Sequence, residues 1–247
     1  AAKDMGLNVE QSAEPTTVAV FLINNQNVPD KKVRQAMSYA IDKQMLIDQS
    51  LQGQGVPATT CIIPGSQYEF GTKWERNVDK AKELLAEAGW DSGKTLKMVV
   101  TSARESMAAV IQQNLAEAGL NIEVQTVELA TMFSGLQDGT YDLGICGSTV
   151  MDYPLWMAGY YDNKNATYCQ ITDTKYAEIQ DAIAAELDEA KRKELINDYQ
   201  ELLYDEMPLV MLYNGYSFSV KSDRFQGYNG FEGGVNNQKV WEWSVAK

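Results

Sequence analysis

Val33-Arg34-Gln35-Ala36-Met37-Ser38-Tyr39-Ala40-Ile41-Asp42 places Val33, Met37, Ala40 and Ile41, with Leu46 beyond, on one face at helical spacing. The run follows Asn24-Asn25-Gln26-Asn27-Val28-Pro29-Asp30, and before that stands Thr17–Ile23, β-branched and apolar. The order predicts a strand, a proline turn and an amphipathic helix over about Asp30–Gln52 that closes at Gly53 and Gly55.

The same alternation continues downstream. Val56–Arg76 has prolines and glycines without a period and reads as a long ordered loop. Asn77 caps a helix stopped by Gly89, and Thr95–Thr101 is a strand. Ser102 and Glu105 have capping-box spacing at the head of a helix ending at Gly119. Asn121–Glu128 reads as a half-exposed strand, Thr131–Gln137 as a short helix and Tyr141–Cys146 as a short strand. An aromatic-rich loop, two helices over about Asp173–Leu187 and Glu189–Glu206, and an apolar strand at Pro208–Tyr213 complete the series. Leu-Ala-Glu-Ala-Gly occurs at 85–89 and again at 115–119. Both copies are helix ends with a glycine cap, which accounts for the likeness without a duplicated domain. The predicted fold class is α/β, a mixed sheet flanked by helices.

The net charge of −13 argues against nucleic acid and against an anionic membrane as partner. Histidine is absent, which removes the usual general base and most zinc or nickel sites. The three cysteines, Cys61, Cys146 and Cys169, show no CxxC spacing. They allow three separate thiols, or one bridge, for which Cys61–Cys169 is the better pair because both lie in turn-like surroundings while Cys146 ends an apolar run. No apolar run approaches the roughly 20 residues a membrane span requires, and no basic-plus-apolar leader opens the sequence.

Three of these pieces in this order resemble the extracellular solute-binding proteins of family 5, the peptide-, dipeptide- and nickel-binding receptors of ABC importers. They are the strand ending in Asn24, the Val33–Asp42 helix, and Ala81-Lys82-Glu83-Leu84-Leu85-Ala86-Glu87-Ala88-Gly89. Gly119-Leu120-Asn121-Ile122-Glu123-Val124, Gly139-Thr140-Tyr141-Asp142-Leu143 and the late Met207-Pro208-Leu209-Val210 extend the match. The resemblance implies a periplasmic-binding-protein type II-like C-terminal lobe. Residues 1–16 are then a polar extension, 17–213 the ligand-binding lobe, and 214–247 a tail returning to a first lobe outside this chain. Thr17–Ile23 and Pro208–Tyr213 would be hinge strands lying side by side.

By resemblance the ligand is a small peptide or similar solute. The partners are the other lobe and a membrane ABC permease, the chain is a monomer, and no cofactor, metal or catalytic residue is implied. The place would be extracellular, as a cell-surface lipoprotein or in the periplasm. The ligand-binding candidates are Asp152, Tyr153, Trp156, Ser148, Thr149 and Arg104. Asp152 matches the aspartate that holds a ligand ammonium in peptide-binding relatives, and a turn aspartate ahead of Tyr153-Pro154 is the alternative. Arg104 matches an arginine that clamps a ligand carboxylate, and a solvent-facing first-turn arginine is the alternative. Gly147-Ser148 replaces the family's Gly-Trp, so an aromatic wall is missing unless Trp156 supplies it. Arg34, Asp42 and Asp142 read as structural. The competing class is a carboxylate-dependent hydrolase using Asp142, Asp152 or Glu128, although no spacing selects a pair.

Overall fold

A computed structural model describes residues 2–70, 75–149, 168–227 and 240–245. At its centre lies β2, Thr17–Ile23. Its side chains alternate between two cores, Ala19, Phe21 and Ile23 on one face and Val18, Val20 and Leu22 on the other. A strand buried on both faces reads as a continuous apolar run, and this one does.

Around β2 forms a six-stranded mixed sheet. Its other members are β3 (Gly55–Pro57), β4 (Thr95–Val100), β5 (Asn121–Thr126), β6 (Leu143–Thr149) and β7 (Leu209–Gly215), in the order β3-β7-β2-β6-β4-β5. β4 pairs in parallel with β5 and β6, while β2 pairs antiparallel with β6 and β7. The two strands expected side by side, β2 and β7, are neighbours. One face carries α1 (Lys31–Ala40), α2 (Lys43–Leu51), α3 (Val78–Glu87) and α4 (Glu105–Ala118). The other carries α5 (Leu129–Gln137), α6 (Lys175–Ala185) and α7 (Glu189–Glu206).

Two local expectations are corrected. The helix over Asp30–Gln52 is two helices, because Ile41 and Asp42 are extended and the Asp42 carboxylate caps α2 by accepting from the Met45 N–H. The apolar period runs through the break, which hid it. The capping box at Ser102 does not form: Ser102–Arg104 is a 3-10 turn, and α4 starts at Glu105 without a side-chain cap.

The Asn24–Asn27 run is a set of ties. Asn24 Oδ1 accepts from the Gln26 and Asn27 N–H groups, and Asn25 Nδ2 donates to the carbonyls of Ile23, Cys169 and Pro208. The end of β2 is thereby fastened to the segment before α6 and to the start of β7. At the other end of β2 the chain pairs outside the sheet. β1 (Asn8–Gln11) runs antiparallel to β8 (Phe218–Lys221), with Glu10 and Lys221 in an ion pair at 2.8 Å. Phe225–Gln226 and Ser244–Val245 form a further short pair, β9 and β10.

Cys61, Cys146 and Cys169 are all buried and free, so the Cys61–Cys169 bridge does not form. All three belong to the core under α5, α6 and α7. Their burial has a consequence at alkaline pH. Desolvation pushes the Cys61 and Cys169 thiols up to about 12 from 9.0 and pushes the Lys43 ammonium down to about 8 from 10.5. From pH 8 to about 10.5 the unfolded chain holds the extra proton on Lys43, which raises stability with pH. Above pH 9 the two unfolded thiols ionise while the folded ones do not, which outweighs the Lys43 gain, and stability falls. Each thiol contributes about 1.4 kcal/mol per pH unit. Urea midpoints from pH 7 to 11 are expected to peak near pH 9 and then decline, with a shallower decline in Cys61→Ala and Cys169→Ala. An identical alkaline slope in both variants would contradict this.

Candidate functional site

β4, β5, β6 and β7 end at the same edge of the sheet, and there two neighbours part company. After β4 the chain turns through Ser102–Arg104 into α4 and returns as β5. The next strand of the sheet after β6 in the chain is β7, which lies on the far side of β2. Adjacent strands whose connections diverge leave a crevice at their carboxyl ends, the usual ligand position in open α/β sheets.

Arg104 spans that crevice. A Cβ on Gly147 of β6 would lie 2.6 Å from Arg104 Nη2 and 3.0 Å from the Val18 carbonyl oxygen. The guanidinium therefore rests on bare backbone, which only glycine leaves open. Its Nη1 is 3.9 Å from Met107 Sδ, and the Tyr213 hydroxyl is 3.8 Å from the same sulfur. Burial raises Tyr213 above its ordinary pKa, opposed by the charge and hydrogen bonding of Arg104. A bulge in β7 aims that ring: the β2 partners step from Tyr213 to Met211, so Leu212 and Tyr213 face the same core. Among the described residues no carboxylate forms an ion pair with Arg104.

Ser148, half-buried, and Thr149 follow Gly147 on β6, opposite Val18 and Thr17. The crevice thus brings together Arg104 and the β6 end that carries Ser148 and Thr149. Asp152, Tyr153 and Trp156 lie outside the described residues. A cleft of about 500 Å3 continues from Thr101 and Ser102 to Thr126, Val127, Glu128 and Leu129 at the end of β5.

The other charged candidates are elsewhere. Asp142 accepts from Asn27 Nδ2 at 2.7 Å and the Lys97 N–H at 2.8 Å, which ties the start of β6 to β4 and the Asn turn. Asp142 stands at the amino edge of the sheet and Glu128 at the carboxyl edge. A strand of six residues, about 20 Å, separates such positions, too far for two carboxylates to flank one bond. The hydrolase reading therefore finds no pair among the described residues. Arg34 is 4% exposed and bonded to main-chain carbonyls, which is structural. Among the described residues no group of His, Cys, Asp and Glu could hold a metal ion, and no helix is long and apolar enough to cross a membrane.

The contact of Gly147 with Arg104 and the place of Tyr213 beside it were not read from the sequence. The signal for Gly147 was a glycine directly after an apolar strand pattern, a position that can mark close approach of another group. Tyr213 reaches the site only through the bulge, which leaves no trace in the sequence.

The family described as bacterial extracellular solute-binding proteins, family 5 Middle, matches residues 1–176. The oligopeptide-binding protein AppA of Bacillus subtilis is 24% identical over 250 residues, covering 90% of this chain and 45% of that protein. The glutathione-binding protein GsiB of Escherichia coli K12 is 30% identical over 130 residues, covering 49% of this chain and 25% of that protein. Among solved structures, the periplasmic binding protein DppA of Helicobacter pylori, in complex with the peptide STSA, superposes with a TM-score of 0.84 at 20% identity. That match covers 98% of this chain and 49% of the other. The B. subtilis AppA complex with a nonapeptide gives 0.82 at 20% identity, over 100% of this chain and 55% of that one. The fold is that of the periplasmic-binding-protein type II structures. The chain spans about half the length of the curated relatives it matches.

Proposed function

The chain belongs to the bacterial extracellular solute-binding proteins of family 5, and from that premise we propose that it is the C-terminal, solute-gripping lobe of an ABC-importer receptor. Its ligand is a small peptide or related solute with a free carboxylate. A second lobe closes over the crevice edge, and a membrane permease receives the solute from the closed receptor. The lobe binds and does not transform, and it acts as a monomer outside the cytoplasm, as a surface lipoprotein or in the periplasm.

One observation carries the reading: the Arg104 guanidinium lies on Gly147 where β4 and β6 diverge, with no carboxylate paired to it among the described residues. A planar fork held this way is suited to a carboxylate arriving from outside. The residues before β2 and after β7 support the second lobe. They leave the sheet together at the crevice edge, tied by Ser12 N–H to the Ser217 carbonyl and by Thr16 N–H to that of Gly215. Phe218 and Val220 project from one side of that ribbon at 47% and 49% exposure, a surface for another body to cover.

The test is calorimetry of small peptides with this 247-residue chain. Half a cleft buries little ligand, so affinity weaker than micromolar is expected. A free C-terminal carboxylate should bind about tenfold tighter than its amide, through charge-assisted hydrogen bonds to Arg104. Equal affinity for the acid and the amide would remove Arg104 from the site, and hydrolysis of the peptide would remove the binding-only reading.

A further inference from the structure

A second cleft, of about 490 Å3, lies away from the Arg104 crevice, between the start of α2 and the β3 edge of the sheet. Its volume is that of an ordinary small-molecule site. Two of its lining groups are left incomplete by the fold. Asn214 of β7 is 1% exposed, and its Oδ1 is buried without a hydrogen-bond partner among the described residues. An orphaned buried acceptor is costly and uncommon.

Lys43, the first residue of α2, is the other. Its ammonium donates to the Ala58 carbonyl at 2.7 Å, and two more N–H groups have no acceptor among the described residues. Burial alone depresses its pKa to about 8; no carboxylate offsets the desolvation. Asp42, beside it, is engaged instead with the Met45 N–H and, at 3.8 Å, with Arg76.

The two groups are spaced along one strand edge. Asn214 pairs with Val56 of β3, Lys43 bonds to the Ala58 carbonyl just past the end of that strand, and both Asn214 and Lys43 line the cleft. Ile41, Val56, Pro57 and Ile62 supply apolar wall.

We infer that this cleft is a second ligand site, taking a small α-amino or α-hydroxy acid with an apolar side chain. The ligand carboxylate sits on Lys43, its neighbouring N–H or O–H donates to Asn214 Oδ1, and its side chain lies against Ile41 and Val56. The site is independent of the peptide crevice, and nothing in it depends on a second lobe.

L-Leucine is the probe, titrated into the 247-residue chain and followed by the Lys43 ε-methylene and Asn214 side-chain amide resonances. Both are expected to shift saturably. 4-Methylpentanoate keeps the carboxylate and the branched chain but lacks the donor, and should bind about tenfold more weakly. Lys43→Met and Asn214→Leu should each weaken L-leucine by about tenfold or more, with melting curves showing that both fold. If either variant fails to fold, the comparison of the two ligands on the unaltered chain decides. Absence of saturable shifts, equal affinity for both ligands, or unchanged affinity in the folded variants would overturn the inference.

Discussion

Replacing Arg34 with methionine is expected to lower stability by about 3–5 kcal/mol, because several main-chain carbonyls lose a charged donor and each buried acceptor left unsatisfied costs about 1–3 kcal/mol. Nε donates to the Glu206 and Met207 carbonyls at 3.1 and 3.2 Å, Nη2 to Glu206 at 2.8 Å, and Nη1 to Val28 and Pro29 at 2.9 and 2.7 Å. One guanidinium thus closes the carboxyl end of α7, where Met207 turns left-handed at φ 43°, and braces the turn that leads into α1. Burial pulls its pKa below the ordinary value; the nearby Tyr176, Glu206 and Asp30 oppose this. Methionine fills the volume and leaves four carbonyls without their donor. Arg34→Lys should recover only part of the loss, because an ammonium cannot reach both sides of the site as a planar fork does. Urea unfolding measures it, and a loss under about 1 kcal/mol for Arg34→Met would show that the carbonyls find other partners.

Gly147→Val is expected to leave the fold standing and to cost about tenfold or more in affinity for a peptide carboxylate. The new Cβ would enter the space of Arg104 Nη2, at 2.6 Å, and crowd the Val18 carbonyl at 3.0 Å. Of the two, the guanidinium at the end of a flexible side chain gives way and the β2 backbone does not. The charge swings out of the crevice, so acid and amide forms of a peptide should bind alike. A smaller side chain on Arg104 at unchanged Gly147, in Arg104→Ala, should give the same loss of discrimination. Retained preference for the acid in both variants would place the carboxylate elsewhere.

Much of the frame was legible because it rests on local rules. Thr17–Ile23, the Asn77 and Gly119 helix boundaries and the burial of Val33, Met37 and Ile41 follow from periodicity and cap chemistry. The break between α1 and α2 was hidden, since Asp42 serves as a cap without interrupting the apolar face. Ser102 had the spacing of a capping box, but the chain there takes a tight turn that delivers Arg104 to the crevice. Arg104, Ser148 and Thr149 were identified through resemblance to a family. Their meeting at one edge is a matter of strand order, which spacing along the chain does not encode. The Lys43–Asn214 cleft was invisible for the same reason, as its two groups are far apart in sequence and meet through β3.

The central claim is that a solute binds where β4 and β6 diverge, and chemical-shift mapping of a titrated peptide tests it directly. The account predicts that the Arg104 guanidinium and the Gly147, Ser148 and Thr149 amides move together and saturate with one binding curve. Shifts concentrated instead at the amino edge, around Asp142 and Asn27, with Arg104 unmoved, would contradict it.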